Sequence, residues 1–387
     1  MIPIKYNVRN LRVRWVTTLM TVIATGWVVW ATVLTFGLTD GLEHALRISG
    51  DALDVIVMRK GSDAETSSAI EAQTAREVAN LEGIEKGADG QPLCSNEFVT
   101  IFTKPRRNNA GTTNLIVRGV DTVARALRPN FTIVEGRDLK SGVNEIIASR
   151  QMASRFENLA LGEKLEINKI DFTVVGYFEA GGSAVESEVW ADLGDLTGAR
   201  RVQGAISVVN FRARDLDSLD KLINTLVNDE RFKFKAVTES AYFESQMSAS
   251  IAIRFIGYVI GGFLTFGAMF AAANTMYAAV ASRGREIGTL RAIGFSRSSI
   301  LFSFLIESMI LCLLGGLLGC LATLPFNGIS TGTANWATFS EITFSFRFGP
   351  WILARGVVMA LVMGLLGGLF PAVRAIRLKI VDALRQA

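Results

Sequence analysis

Four apolar runs in this chain are each long enough to cross the hydrocarbon core of a lipid bilayer. That core is ~30 Å thick, and a helix needs about 20 residues to span it. The runs are Val16–Leu38, Ile251–Ala281, Ile300–Phe326 and Trp351–Val373. A polar stretch of about 210 residues separates the first two runs, which is enough for a folded domain with its own core. The sequence therefore predicts an integral membrane protein with one large domain outside the membrane.

The distribution of basic residues predicts the orientation of the spans. Short cytoplasmic loops are enriched in Lys and Arg. Basic residues precede the first run, lie between the second and third, and follow the fourth, whereas residues 327–350 contain a single arginine, Arg347. The first run also exceeds the apolar region of a cleaved signal peptide. We therefore expect a multi-pass membrane protein with both termini in the cytoplasm and the polar domain outside. The flanks explain the net charge of +4, so it indicates no nucleic-acid partner.

These boundaries divide the chain into nine segments, and the predicted fold class is membrane α-helical with a large extracytoplasmic α+β domain. Residues 1–15 have the pattern of an amphipathic helix on the inner leaflet, the alternative being a charged flank. The other expected segments are transmembrane helix 1 (16–38), the periplasmic or extracellular α+β domain (39–250), a stalk with transmembrane helix 2 (251–281), a cytoplasmic loop (282–299), transmembrane helix 3 (300–326), an outer loop (327–350), transmembrane helix 4 (351–373) and a cytoplasmic tail (374–387).

Alternating β-branched and aromatic runs predict strands in the polar domain, among them Leu53–Met58 and Phe172–Phe178, and apolar spacing over Leu216–Val227 predicts a helix. The second apolar run is longer than the bilayer core and carries Arg254 in its first turn. Because a charge at the bilayer centre is costly, we expect this helix to extend outward as a stalk. The alternative is an arginine that snorkels from an ordinary span, as Arg355 would in the fourth.

The charged loop between the second and third runs has the composition of a short helix. Ile287, Leu290 and Ile293 recur at three-residue spacing and predict one apolar edge, while Gly288 and Gly294 allow close approach and a helix stop. An ordinary connector is the alternative interpretation of this composition.

Three of the four apolar runs contain a GxxxG motif, which lets helices approach closely. The pairs are Gly257 and Gly261, Gly315 and Gly319, and Gly364 and Gly368. Three such motifs predict a tightly packed bundle rather than a wide aqueous pore. Glu307 and Ser308 are the polar pair within the third run, and we expect both to face protein.

No pattern in the sequence predicts a catalytic or metal site. Cys94, Cys312 and Cys320 lack the spacing of metal ligands and make an intramolecular disulfide implausible, and His44 is the single histidine. The phosphate-binding pattern GxxxxGK[ST] does not occur in the sequence. We therefore expect no enzymatic activity, cofactor or metal in this chain.

Two stretches of the second half resemble a known family. Residues 283–294 (RGREIGTLRAIG) continue to Glu307-Ser308 and Gly315, and residues 367–385 contain GGLFPA followed by VDALR. Both are similar to the C-terminal region of FtsX/MacB-type ABC transporter permeases. In the polar domain, Val117–Asp121, Glu135–Arg137 and Phe172–Phe178 resemble that family's periplasmic core. By the size of this domain the chain resembles the MacB- and DevC-like exporters more than the FtsX proteins that control cell-wall hydrolases.

This resemblance implies a permease of the bacterial inner membrane that works as a dimer and couples ATP hydrolysis to motion of its outer domain. MacB carries a fused ATPase, whereas this chain starts close to its first span, so ATP and Mg are expected on a separate cytoplasmic ABC ATPase. The loop that would dock on that ATPase comprises Arg285, Glu286, Ile287, Gly288, Leu290, Arg291, Ala292, Ile293 and Gly294. Other expected partners are a second copy of the chain, membrane lipid and, where one exists, a periplasmic membrane-fusion adaptor.

The leading hypothesis is export or extraction of a lipid, lipoprotein, peptide or hydrophobic drug on the outer side. The alternative is a signalling module in which ATP hydrolysis inside activates an extracytoplasmic cell-wall hydrolase or sensor. A membrane-anchored enzyme is a third class, and the polar domain shows no nucleophile or metal motif that would favour it.

Overall fold

The protein, seen here in a computed structural model, folds into two units. The structure describes residues 13, 15–107, 111–128, 130–246, 248–335 and 340–377. The helical unit comprises residues 1–40, 252–329 and 346–387, and the α/β unit comprises residues 41–251 and 330–345. Most of the predicted amphipathic helix and the tail beyond Arg377 lie outside the described residues.

Ten α-helices lie in the described part of the chain. In order they are α1 (Trp15–Arg47), α2 (Ala72–Ala79), α3 (Arg150–Arg155), α4 (Leu193–Ala199), α5 (Leu216–Asn228), α6 (Glu239–Gln246), α7 (Ser248–Ser282), α8 (Gly284–Ala292), α9 (Arg297–Thr323) and α10 (Pro350–Arg377).

The described strands are β1 (Asp54–Arg59), β2 (Ile70–Glu71), β3 (Cys94–Pro105), β4 (Thr112–Val120), β5 (Thr132–Gly136), β6 (Glu145–Ser149), β7 (Lys164–Ile167), β8 (Ile170–Glu179), β9 (Glu188–Asp192), β10 (Ala205–Ile206), β11 (Val208–Arg212), β12 (Phe234–Thr238), β13 (Ser330–Ala334) and β14 (Glu341–Ser345).

Four helices, α1, α7, α9 and α10, are long and apolar enough to cross a membrane. The predicted fold class, four membrane helices with a large mixed α/β domain, is therefore confirmed. Three of the helices, α1, α7 and α10, are longer than the apolar runs that predicted them. At 1.5 Å per residue the 33 residues of α1 extend about 50 Å, nine residues past Leu38, and α7 begins at Ser248. A helix continues past its apolar run because backbone hydrogen bonds do not depend on side-chain polarity.

The α/β unit is built on a ten-stranded sheet. Nine of its strands follow the order β12-β1-β11-β3-β4-β9-β6-β8-β5, and the tenth, β7, pairs with β8. Most neighbours are antiparallel, while β4 pairs with β9 and β6 with β8 in parallel. One apolar core forms where α2 and α5 cover β1, β11 and β12. A second forms where α3 and α4 cover β4, β6, β8 and β9. Burial of these apolar faces supplies the main driving force for folding of the unit.

The segment expected to be a plain outer loop is structured. Residues 330–334 and 341–345 form an antiparallel hairpin, β13–β14, and this hairpin belongs to the α/β unit. The alternation of Ile342 and Phe344 with Thr343 and Ser345 is a strand pattern. Sequence analysis missed it because the run is short and lies between two long apolar helices.

Candidate functional site

The loop that the sequence singled out forms α8, a helix of nine residues between α7 and α9. Arg283 stands at its N-terminal cap. After the helix, Gly294 has a φ of +105°, which glycine adopts without a steric penalty. Ser296 then accepts a hydrogen bond from the backbone N–H of Ser299, at 3.2 Å, and caps α9. The helix α8 therefore starts after Arg283 and ends before Gly294, and the predicted short helix is present.

The predicted apolar edge of α8 is divided between two faces. Ile287 is 2% exposed and packs inside the chain, whereas Ile293 is 72% exposed. Successive side chains of an α-helix are about 100° apart around its axis, so a step of three residues covers about 300°, about 60° short of a full turn. Ile293 is thus about 120° away from Ile287, and the prediction of a single edge was wrong. Arg285, Glu286 and Thr289 form the exposed face instead.

A buried ion pair attaches the start of α8 to α9. Arg283 Nη1 donates to Glu307 Oε2 at 2.8 Å, and the two side chains are 7% and 5% exposed. Because an unpaired charge is costly in a protein interior or in hydrocarbon, neither residue is stable there without the other. Sequence analysis assigned Arg283 only to the basic flank and missed this pair.

The rest of α8 is attached to α10. Near the end of the helix, Arg291 Nη1 donates to the carbonyl oxygen of Ile376 in α10, at 3.2 Å. Ile287 lies in an apolar cluster that also contains Met276 of α7, Phe304 of α9 and Ala372 of α10. Displacement of α8 would therefore displace the adjoining ends of α7, α9 and α10.

The six glycines of the GxxxG motifs all lie at contacts between helices. A Cβ added at Gly257 would lie 2.7 Å from Thr35 Cγ2 of α1, and one at Gly315 would lie 2.0 Å from Thr25 Oγ1 of the same helix. The remaining four meet α1 or α9 at similar range: Gly261 meets Thr32, Gly319 meets Gly26 and Trp30, Gly364 meets Met309, and Gly368 meets Ser308. Ser308 Oγ also donates to the carbonyl oxygen of Gly364 at 2.7 Å. These helices are therefore packed closely, with backbone contacts at Gly315, Gly319 and Gly364, as GxxxG motifs allow.

The α/β unit contains a second buried charge cluster, centred on Arg118 of β4. Its guanidinium lies 2.7 Å from Glu65, 2.6 Å from Glu97 and 2.6 Å from Glu188. Arg128 lies 2.9 Å from Glu97 on the other side. Although burial alone would raise it, these two arginines lower the pKa of Glu97 to about 2. Glu97 therefore stays ionised at physiological pH, and the cluster joins β3, β4 and β9 with the turn at Glu65.

Arg118 is one of the residues that carry the family resemblance, but its role was not predicted from the sequence. Its signal was an arginine inside the β-branched run Leu115–Val120, a position where a charge must find buried partners. The partners lie 21 to 70 residues away in the chain, so the sequence did not identify them.

A cavity of about 60 Å³ adjoins this cluster. Its walls include Leu46 at the end of α1, Tyr242 of α6 and Ile342 of β14. Leu46 lies in the long helix α1, Tyr242 lies shortly before α7, and Ile342 lies in the segment between α9 and α10. The Oδ1 atom of Asn210, which also lines the cavity, has no hydrogen-bond partner.

A second cavity, of about 120 Å³, also borders Arg128, and its walls include Asp54 and Glu239. Burial raises the pKa of Asp54 to about 6 and that of Glu239 to about 8, against the lowering effects of Arg212 and Arg128 respectively. Glu239 therefore carries a proton over most of the neutral range. Within the described ranges, no group of three or more His, Cys, Asp or Glu side chains could hold a metal ion.

Two family models match the chain. The MacB-like periplasmic core domain matches residues 18–228, and the FtsX-like permease C-terminal domain matches residues 258–380. Between them they cover most of the α/β unit, most of the four long helices and all of α8, and leave residues 229–257 unmatched.

Curated relatives also match the chain. The macrolide export ATP-binding/permease protein MacB of Bdellovibrio bacteriovorus is 29% identical over 255 residues, which cover 59% of this chain and 36% of that protein. The uncharacterized ABC transporter permease YknZ of Bacillus subtilis is 33% identical over 179 residues, 45% of this chain and 42% of that protein. The chain thus spans well under half the length of these relatives. The crystal structure of the periplasmic region of MacB from Actinobacillus actinomycetemcomitans aligns with 54% of this chain and 98% of that one, with 11% identity and a TM-score of 0.38.

Proposed function

Since the chain belongs to the FtsX/MacB-type family of ABC transporter permeases, we propose that it works with a separate cytoplasmic ABC ATPase, which binds ATP and Mg. No phosphate-binding GxxxxGK[ST] pattern occurs in its 387 residues. ATP hydrolysis on the partner moves the α/β unit, which acts on a lipid, lipoprotein, peptide or hydrophobic drug on the outer side. The working form contains two copies of the chain.

The attachment of α8 is the observation that carries this proposal. The helix exposes Arg285, Glu286 and Thr289 on one face. On its other side it is joined to α9 by the Arg283–Glu307 pair and to α10 by Arg291. A partner bound to the exposed face would therefore move the long helices together with α8. The close contacts at the glycines support transmission of motion through a packed bundle rather than passage of substrate through a pore.

This proposal places α8 in the cytoplasm and the α/β unit outside. The basic residues Arg283, Arg285, Arg291 and Arg297 around α8 support that orientation. A cysteine introduced at Asp63 of the α/β unit should react with an impermeant thiol reagent in intact spheroplasts, and one introduced at Ser296 should not. Equal labelling of the two sites would contradict the orientation.

Co-purification of the chain with its ATPase tests the docking face directly. Replacement of Ile287 would disturb the apolar cluster of the permease itself, so the informative change is at the exposed Ile293. Ile293→Asp combined with Arg285→Glu should abolish ATPase association, because the new charges must be desolvated or repelled at the interface. The permease should still insert into the membrane, since both side chains are exposed.

Leu216→Asp is the matched control, because Leu216 is 65% exposed but lies on α5 of the α/β unit. This variant should recover the ATPase at the wild-type level. Recovery of the ATPase by the α8 double variant at that same level would show that α8 is not the docking element.

A further inference from the structure

The β13–β14 hairpin links the two units along the chain. Its residues, 330–345, belong to the α/β unit, yet the chain enters it from α9 and leaves it toward α10, both of which are in the helical unit. Five residue pairs, from Ser330 with Ser345 to Ala334 with Glu341, hold its two strands together. Any movement of the adjoining ends of α9 and α10 therefore acts on a structured element of the α/β unit.

Glu341 attaches this hairpin to the large sheet. Its side chain is 2% exposed and forms ion pairs with both Arg106, after β3, and Arg155, at the end of α3. The two arginine side chains are 33% and 22% exposed. One carboxylate therefore joins the hairpin to two distant parts of the unit, and removal of its charge leaves two arginines facing each other.

Hydrogen bonds and apolar contacts reinforce the attachment. The backbone N–H of Thr343 donates to Ser187 Oγ at 2.8 Å, and Thr343 Oγ1 lies 3.2 Å from the same oxygen. Ser340 forms a bridge with Asn114 of β4. Ile342 and Phe344 are 9% and 2% exposed, so the apolar face of β14 is buried in the unit.

A glycine makes room for the carboxylate. A Cβ added at Gly332 of β13 would lie 2.5 Å from Glu341 Oε1 and 2.9 Å from Arg155 Nη2. No other residue fits there without displacing the ion pair. The geometry around Glu341 thus depends on both strands of the hairpin.

We propose that the β13–β14 hairpin transmits movement of α9 and α10 to the α/β unit, and that Glu341 is the positioning residue that keeps it attached. This inference rests on the proposed function, because it assumes that ATP hydrolysis moves the helices. It adds a third connection to the two that α1 and α7 provide. Loss of the Glu341 charge should separate ATP hydrolysis from movement of the α/β unit without affecting α8.

The test is Glu341→Gln in the full chain with its ATPase in lipid nanodiscs, followed by hydrogen exchange with and without ATP and vanadate. Amides of Ile342–Phe344 should exchange about tenfold to a hundredfold faster than in the wild type, since a buried pair has been broken. The nucleotide-dependent change in exchange of β3, β4 and β9 should be lost, while ATP turnover and ATPase binding stay at wild-type levels. Glu145→Gln is the matched control, because it removes the Arg137 pair, which lies elsewhere in the same unit.

A disulfide provides the second arm, in which a covalent bond replaces the ion pair. Ser187→Cys with Thr343→Cys, added to Glu341→Gln, should restore the nucleotide-dependent change under oxidising conditions and lose it on reduction. The three native cysteines are buried, so the introduced pair is the one available for oxidation. A purely structural role for Glu341 predicts that ATP turnover falls together with the exchange response.

The outcomes separate this inference from the proposed function. If the wild-type chain binds no ATPase, the proposed function fails. If it binds the ATPase and Glu341→Gln keeps the full nucleotide response, the hairpin inference alone fails. It also fails if the wild-type α/β unit shows no nucleotide-dependent change, or if the disulfide forms without restoring one.

Discussion

The helical unit and the α/β unit both bury an arginine, but they surround it differently. In the helical unit, Arg283 pairs with one carboxylate, that of Glu307. In the α/β unit, Arg118 contacts three carboxylates, and Arg128 adds a second positive charge. The first arrangement has one charge of each sign, whereas the second has three negative and two positive charges.

The difference follows from what holds each unit together. Two apolar cores stabilise the α/β unit in water, so it can contain a charge cluster as one part of a larger structure. Between helices in lipid the hydrophobic effect gives no comparable driving force, and cohesion comes from close packing at small residues. Each charged side chain between the membrane helices needs a partner of opposite charge, because an unpaired ion in lipid is costly. The α/β unit should therefore be more sensitive to loss of charge, and the helical unit to gain of volume.

The largest effect is expected at Arg118. Arg118→Met leaves Glu65, Glu97 and Glu188 without their central cation, and breaking a buried pair costs about 3–5 kcal/mol even when one carboxylate is left. We expect the α/β unit of this variant to unfold. The unfolding should be measurable as a loss of hydrogen-exchange protection in β3, β4 and β9. Arg137→Met is the control, because the Arg137 side chain is 47% exposed and an exposed ion pair contributes little to stability. Equal protection in the two variants would refute the contrast between the units.

Enlarging the helix contacts should have an intermediate effect. Gly315→Leu with Gly319→Leu forces α9 away from α1, because a Cβ alone already meets Thr25 Oγ1 at 2.0 Å and the carbonyl oxygen of Gly26 at 2.5 Å. Overpacking of this kind costs about 1–3 kcal/mol per site. ATPase binding should persist, since α8 is unchanged, while hydrolysis becomes uncoupled from movement of the α/β unit.

The control for this prediction is Gly262→Leu with Gly267→Leu on α7, where an added Cβ meets nothing within 4 Å in the chain. ATP turnover and the nucleotide-dependent exchange response are measured together for both double variants. If neither quantity changes at Gly315 and Gly319, these contacts do not transmit motion.

The smallest expected effect is a pH dependence at Glu239. Burial raises its pKa from 4.5 to about 8. Between those values the folded chain binds more protons than the unfolded chain, so the free energy of unfolding falls as pH rises through this window. The change is on the order of 2 kcal/mol, because partial exposure reduces the full effect. Asp54 adds a dependence of the same sign up to about pH 6.

Hydrogen exchange of β1 and β12 at pH 5.5 and pH 8.5 measures this dependence. Glu239→Gln should remove most of the loss of protection at the higher pH, relative to wild type at the same pH. Glu82→Gln, at an exposed position of the same unit, should behave like the wild type. A variant Glu239→Gln with an unchanged pH dependence would show that the carboxyl is ionised in the folded state.

Local pattern predicted much of the secondary structure. The strand expected over Leu53–Met58 is observed as Asp54–Arg59, and the helix expected over Leu216–Val227 as Leu216–Asn228. Strand β9 was missed, because its alternation of Glu188, Val189, Trp190 and Ala191 does not separate a polar from an apolar face. All four of these residues are buried, since β9 is covered on both sides.

The predicted docking residues show the same contrast between what local pattern predicts and what packing decides. Their helical conformation was predictable from composition, but their exposure was not. Ile287 and Ile293 have the same chemistry, and contacts with α7, α9 and α10 decide that the first is buried and the second exposed.

The sequence by itself determined the four membrane helices and the single large domain between the first two. These depend on the length and polarity of continuous segments, which partition between lipid and water residue by residue. The tertiary structure decided the partners of Arg283, Arg118 and Glu341, and the membership of the β13–β14 hairpin in the α/β unit. Those partners lie 21 to 235 residues apart in the chain. A buried charge shows in the sequence that a partner must exist, but only the packing of distant segments determines which residue it is.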